Sequence, residues 1–148
     1  MATHDNASIA RTIYESFNNR DFDRAASLMA NDVEWRDMPT GEVWHGPNGF
    51  KQSFQRWATA FPDGKCEITN LVCAGDWCTV EFIGRGTNTG PMAGPTGEMP
   101  ATGRRVEVPF CDVFEIKNGK VTRGHSYFDM ATMLQQLGLM PMTRQAGQ

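Results

Sequence analysis

Arg105-Val-Glu-Val-Pro-Phe-Cys-Asp-Val-Phe-Glu-Ile116, then Lys117-Asn-Gly-Lys120, then Val121-Thr-Arg-Gly-His-Ser-Tyr-Phe128, reads as two strands joined by a tight turn. Val106, Val108, Phe110, Phe114 and Ile116 alternate as one apolar face, as a strand with one buried side requires, and Asp112 falls in the middle of that face. Asn-Gly between two such runs is a strong hairpin signal. Working upstream, Cys66 to Cys73, a turn at Ala74-Gly75-Asp76 and Trp77 to Gly84 predict a further antiparallel pair.

The first half of the chain has a different period. Residues 7–18 place Ile9, Ala10, Ile13, Tyr14 and Phe17 at helical spacing behind a cap at Asp5 or Asn6, and residues 21–30 repeat the capped pattern. Val33 to Asp37 then alternates as a strand. Gly46-Pro47 restarts a helix whose Phe50, Phe54, Trp57 and Phe61 stack along one stripe until Pro62-Asp63-Gly64 ends it. After the last strand, Asp129 caps a short helix that buries Met130, Met133, Leu134 and Leu137 and stops at Gly138. Helices first and sequential strands afterwards predict an α+β domain, a curved antiparallel sheet closed by helices around an apolar pocket.

One domain over residues 1–148, with residues 1–5 and 142–148 as flexible tails, fits the length. A net charge of −3 without any basic run argues against a nucleic-acid partner. No apolar run approaches the roughly 20 residues that span a bilayer, and the N-terminus lacks the pattern of a signal peptide, so no membrane partner and a cytoplasmic location are expected. Cys66, Cys73, Cys78 and Cys111 lack zinc or redox spacing and are expected to be structural thiols without a disulfide. No His and carboxylate cluster has ligand spacing, so neither a metal nor a cofactor is expected. The Gly- and Pro-rich stretch Gly86–Gly103 predicts a long loop, a lid or an interface arm.

Eight short motifs occur in order: Trp35-Arg-Asp-Met-Pro39, Gly46-Pro-Asn-Gly-Phe50, Ala60-Phe-Pro-Asp63, Gly86-Thr-Asn-Thr-Gly90, Pro100-Ala-Thr-Gly-Arg-Arg105, Asp112-Val-Phe-Glu-Ile116, Asn118-Gly-Lys120, and Tyr127-Phe-Asp129 with Gln136-Leu-Gly138. Together they resemble the SnoaL-like polyketide (ester) cyclases of the nuclear-transport-factor-2-like superfamily, which includes ketosteroid isomerase and limonene epoxide hydrolase. The resemblance implies a cone-shaped fold, a small apolar ligand or substrate, and a homodimer built on the outward strand face of Cys111, Val113, His125 and Tyr127. The superfamily holds enzymes and binding modules on one scaffold.

Asp112 and Asp37 are the candidate catalytic residues. Burial disfavours a charged carboxyl, so Asp112 is expected to hold its proton near neutral pH, and its position matches the protonated aspartate of the ketosteroid isomerase oxyanion hole. The alternative is a carboxylate paired with an arginine or capping a backbone group. Asp37 shares a strand face with Val33 and Trp35 and matches the isomerase general base; the alternative is a residue that opens the turn Asp37-Met-Pro-Thr-Gly41. The pocket wall is expected from Tyr14, Phe17, Trp35, Trp57, Phe61, Phe110, Ser126 and Phe128, for each of which core packing is the alternative.

A two-residue turn at Asn118-Gly119 would set Asp112 opposite His125. A bulge at Gly119 would move the register by one and turn Gly124, Ser126 and Phe128 inward. The resemblance favours Ser126, which aligns with an inward catalytic aspartate of cyclases and epoxide hydrolases. A serine has no useful acid-base pKa and cannot take over that role. Two functions follow from these residues: a cofactor-independent cyclase or isomerase that moves protons on a small apolar, polyketide-like carbonyl compound, or a non-catalytic module that holds a small hydrophobic ligand.

Overall fold

The computed structural model describes residues 5–141. Asp5 is not part of a tail: its carboxylate accepts the Ser8 N–H at 3.2 Å and caps helix α1 (Asn6–Asn18). His4 and the rest of the expected tails lie outside the described residues. Helix α1 buries Ala10, Ile13, Tyr14 and Phe17, the stripe read from the sequence.

Helix α2 (Phe22–Ser27) is shorter than the expected 21–30. Leu28 already caps it and Met29 pairs with Val121 as strand β1 (Met29–Asp37) begins, since a single turn of helix is too weak to resist a strand partner. Strand β2 (Glu42–His45), which the sequence did not announce, folds back on β1. Helix α3 (Gly46–Ala60) carries Pro47 in its first turn, where the missing N–H costs nothing, and sinks Phe50, Ser53 and Ala60.

Strands β3 (Lys65–Ala74) and β4 (Trp77–Thr87) form the first long hairpin, and β7 (Arg105–Lys117) and β8 (Lys120–Phe128) the second. Between them the expected loop contains a small hairpin, β5 (Met92–Gly94) and β6 (Gly97–Met99), and its base is fastened from inside. The buried Asn88 amide donates to Ala60 O and Gly90 O at 3.1 and 2.9 Å, while its carbonyl accepts from Thr102 N–H and hydroxyl at 2.8 and 2.9 Å. Helix α4 (Met130–Gln136), capped by Asp129, packs against β7 and buries Met133.

Among the described residues, six strands form one sheet in the order β2-β1-β8-β7-β4-β3. The expectation of an antiparallel sheet needs one correction: β1 and β8 run parallel. No hairpin joins them, so the short-turn argument that makes sequential strands antiparallel does not reach this pair. The sheet's concave face is closed by the helices over two apolar clusters, one around Ile13, Val33, Trp35, Phe50 and Phe114, the other around Phe61, Val106, Val108 and Met133. No helix of the described residues is long and apolar enough to cross a membrane.

The last hairpin combines both readings. Asn118 and Gly119 have φ of 52° and 75°, a two-residue turn that pairs Lys117 with Lys120. Ile116 then faces Val121 but Glu115 faces Arg123, so Thr122, not Gly119, is the extra residue, and its hydroxyl donates to Glu115 Oε1 at 2.7 Å. Beyond the bulge Asp112 stands opposite Ser126, and Gly124 lies on the inner face. The Asp112–His125 dyad does not form: His125 faces Val113 on the outer face, where Tyr127 is exposed.

The cysteines also need correcting. Cys73 and Cys78 form a disulfide, while Cys66 and Cys111 are free. A separation of five looks too long for a redox pair in sequence, but the turn at Gly75-Asp76 sets the two residues directly across the β3–β4 ladder.

Gly124 is required by its neighbours. A Cβ there would lie 2.4 Å from the Trp35 ring and 2.9 Å from Phe114 Cβ, and Trp35 is already wedged edge-on against Phe50 at 5.1 Å. Gly124→Ala is therefore expected to lower stability by about 1–3 kcal/mol through overpacking, read as a reduced denaturation midpoint with unchanged slope.

Candidate active site

Strand periodicity and the Thr122 bulge together build the site. On the inner face, β4, β7, β8 and β1 contribute Val80, Asp112, Ser126 and Asp37 as one row of cross-strand neighbours. Strands lie about 4.8 Å apart, so Ser126 separates two aspartates whose backbones are roughly 10 Å from each other. Two positions along, Phe82, Phe110 and Phe128 form the next row, with Phe110 stacked on Phe82 at 4.8 Å and on Phe128 at 5.0 Å. After that come Gly84 and Val108, and the glycine leaves room for the Phe110 ring, which a Cβ at position 84 would meet at 2.8 Å.

A cavity of about 80 Å³ lies over these rows, room on the order of six waters and so for a small organic group. Tyr14, Phe17, Trp35, Asp37, Trp57, Phe61, Phe110, Asp112 and Ser126 line it, so eight inner-face and helix-stripe positions singled out in the sequence meet there with Asp112. Phe128 does not. It stands one ring back, stacked on Phe110 and edge-on to Trp57 at 5.5 Å, and supports the wall from behind.

Asp112 is 4 % exposed. The Tyr14 hydroxyl donates to its Oδ2 at 2.7 Å, and Oδ1 has no hydrogen-bond partner among the described residues. Burial in this apolar setting pushes the carboxyl up to about 7; Ser126 and Tyr14 oppose that rise, and the charge of Asp37 adds to it. Ser126 exerts its effect from across the ladder without a hydrogen bond of normal geometry to Oδ1. Among the described residues no arginine pairs with Asp112. The sequence reading of Tyr14 as apolar wall missed its hydroxyl; the available signal was a tyrosine in the buried stripe of a helix, whose O–H must find an acceptor.

Asp37 is equally buried and differently held. Its Oδ2 accepts from Trp44 Nε1 at 3.0 Å and from Arg56 Nη2 at 3.3 Å. Burial raises its pKa, with Trp44 and Arg56 pulling it back and Glu42 pushing it up. Its backbone carbonyl also accepts the Gly41 N–H at 2.7 Å, so the turn-opening and cavity-lining readings of Asp37 coexist. Neither Trp44 nor Arg56 was singled out in the sequence, because β2 was not foreseen and an arginine on a helix reads as surface.

Cys66 also lines the cavity. Burial pushes its thiol up to about 12, which leaves it protonated and a poor nucleophile. The ionisable oxygens available to an occupant of the cavity are those of Asp112, Asp37 and Tyr14. Two carboxyls in unlike surroundings, one beside a guanidinium and one beside a phenol, can divide the work of a proton acceptor and a proton donor.

Comparison with known proteins agrees with this architecture. Among curated proteins no match to the chain is found. Among solved structures, IdmH from Streptomyces antibioticus, a proposed polyketide cyclase, superposes with a TM-score of 0.76 at 25 % identity over 91 % of this chain and 99 % of that one. A protein of ketosteroid isomerase-like fold from Catenulispora acidiphila, in complex with trimethylamine, gives 0.74 at 20 % identity over 92 % and 97 % of the two chains. An LEH-like epoxide hydrolase from M. tuberculosis gives 0.68 at 18 % identity over 88 % and 87 %. The last two likenesses concern the fold alone. The family model for SnoaL-like polyketide cyclase matches residues 7–137, from the first turn of α1 to the end of α4, and the chain belongs to that family.

Proposed function

We propose that the protein is a cofactor-independent enzyme of the cyclase or isomerase type, which moves a proton on a small apolar, polyketide-like carbonyl compound held in the cavity. The observation that carries this reading is Asp112, a carboxyl buried among aromatic rings with one oxygen engaged by Tyr14 and the other left without a partner. An unsatisfied buried oxygen costs about 1–3 kcal/mol, and a substrate carbonyl that accepts its proton as a hydrogen bond removes that cost.

In this mechanism neutral Asp112 donates to the substrate carbonyl oxygen while the Asp37 carboxylate, kept charged by Arg56, takes a proton from the adjacent carbon. The C–H electrons form the enolate double bond and the carbonyl electrons move to the oxygen that Asp112 steadies. Return of the proton at another carbon is isomerisation. Attack of the enolate carbon on a second carbonyl, with the Asp37 proton passing to the new alkoxide, is ring closure. Homodimerisation through the outer face of β7 and β8 is compatible with this site, which opens on the opposite side of the sheet.

Exchange of the α-hydrogens of small bicyclic ketones such as 2-tetralone in D2O, followed by NMR, tests the first step without knowledge of the natural product. Asp37→Asn is expected to slow exchange by about 10²–10⁴-fold, the usual contribution of a general base. Saturable ketone binding with no enzymatic exchange in the unmodified protein would instead establish the binding-module reading.

The pH dependence has a defined direction. Asp112 works as the neutral acid, so kcat/KM should fall as pH rises through about 7. Asp112→Asn keeps a donor but cannot titrate, so it should lose this alkaline limb, whereas Asp112→Ala should lose about 10²–10³-fold in rate below pH 7, a deficit that shrinks at higher pH as Asp112 of the unmodified enzyme ionises.

Stability should follow the same group. A carboxyl whose folded pKa of about 7 exceeds its unfolded value stabilises the fold fully below about pH 4, and this contribution disappears as pH rises through 7. Asp112→Asn should therefore be the more stable protein above pH 7, by on the order of 1–3 kcal/mol, with the difference shrinking toward pH 4. Thermal melts across pH 4–8 measure this, and an advantage that does not depend on pH would contradict it.

A further inference from the structure

Arg56 is nearly buried, its side chain 12 % exposed, and stands between two carboxylates from adjacent strands. Its Nη1 donates to both oxygens of Glu42 at 2.8 Å, and its Nη2 reaches Asp37 Oδ2 at the longer distance of 3.3 Å. The β1–β2 register explains the arrangement, because Asp37 and Glu42 are direct cross-strand partners and project from the same face. Like charges at such a pair are unfavourable unless a cation lies between them.

The guanidinium has little freedom there. It sits over the Trp44 ring at 4.9 Å, and the same indole donates to the Asp37 oxygen that Arg56 contacts. Glu42 is itself held by the Thr40 hydroxyl at 3.2 Å. Trp44 and Arg56 therefore converge on Oδ2, and they hold Asp37 from the side of β2 and α3.

We propose that Glu42 and Arg56 are a positioning pair for Asp37: Glu42 anchors the guanidinium, and the anchored guanidinium, shared between two carboxylates, orients Asp37 and sets how readily it takes up a proton. This rests on Asp37 acting as the base. If Arg56 faced Asp37 alone, it would hold the carboxylate so firmly that the carboxylate would be a weak acceptor; without Arg56 a buried carboxyl would stay protonated and accept nothing. Glu42 divides the positive charge and leaves Asp37 between these limits. The charged groups that face Asp37 are Arg56 from α3, Glu42 from β2 and Asp112 from β7, and Asp112 is the neutral partner in the working state.

Glu42→Gln and Arg56→Met test the pair by moving Asp37 in opposite directions. The titration of the Asp37 carboxyl carbon is followed by 13C NMR in each variant, in the Asp112→Asn background so that a single buried carboxyl titrates in the cavity, and α-hydrogen exchange of 2-tetralone is measured in parallel. Glu42→Gln should shift the Asp37 midpoint and the acid limb of kcat/KM to lower pH, and Arg56→Met should shift both upward, each by about one unit or more. Arg56→Lys, a point charge that cannot fork to both carboxylates, should recover part of the upward shift.

Displacement in one common direction, or none, in folded variants that still exchange the ketone overturns the proposal and leaves Asp37 as the base. If Arg56→Met does not fold, the downward shift of Glu42→Gln decides alone. Unchanged exchange in Asp37→Asn would instead remove the functional reading on which the pair depends, so the two failures are separable.

Discussion

One unpaired residue, Thr122, determines what the last hairpin turns toward the inside of the molecule. The Asn118-Gly119 turn on its own would set His125 against Asp112, and the inner face would carry an imidazole next to a carboxyl. With Thr122 bulged out, Gly124, Ser126 and Phe128 face inward, the Trp35 ring packs into the space a Cβ on Gly124 would fill, and Ser126 separates Asp37 from Asp112. The inner face then reads as successive rows: an apolar row at Trp35 and Phe114, a carboxyl row, an aromatic row, and a row of Gly84 and Val108. The cavity is the space left where the helices cannot reach the sheet over those rows.

The two aspartates illustrate how one face can host unlike carboxyls. Both are almost fully shielded from solvent, yet Asp37 touches a guanidinium and an indole N–H, whereas Asp112 touches a phenol and has no cationic partner among the described residues. Desolvation acts on both in the same sense, and the difference between them comes from the neighbours supplied by β2 and α3 on one side and by α1 on the other. Ser126 keeps them apart. A third carboxyl at that position would add like charge to the row, which the Ser126 hydroxyl does not.

Much of this was legible in the linear chain because it depends on short-range periodicity. The alternation of Val106 to Ile116 marked Asp112 as inward, the stripe of Phe50, Phe54 and Trp57 marked the covering helix, and Asp129 with Gly138 bounded the last one. What stayed hidden depends on partners distant in sequence. The parallel contact of β1 with β8 joins segments some 90 residues apart, and only that contact brings Asp37 beside Ser126. The Tyr14–Asp112 hydrogen bond spans 98 residues, and the Cys73–Cys78 disulfide follows from strand register, not from any recognisable spacing.

By itself, then, the sequence determined which side chains could be buried and on which element, since the periods of helix and strand are local properties of the backbone. It also carried enough ordered motifs to place the chain in its family. The tertiary structure alone decided which buried groups meet: that Asp37 is shared with Arg56 and Glu42, that Asp112 is gripped on one oxygen and free on the other, and that a serine stands between them. Those are contacts across the sheet and between layers, and no local period encodes them.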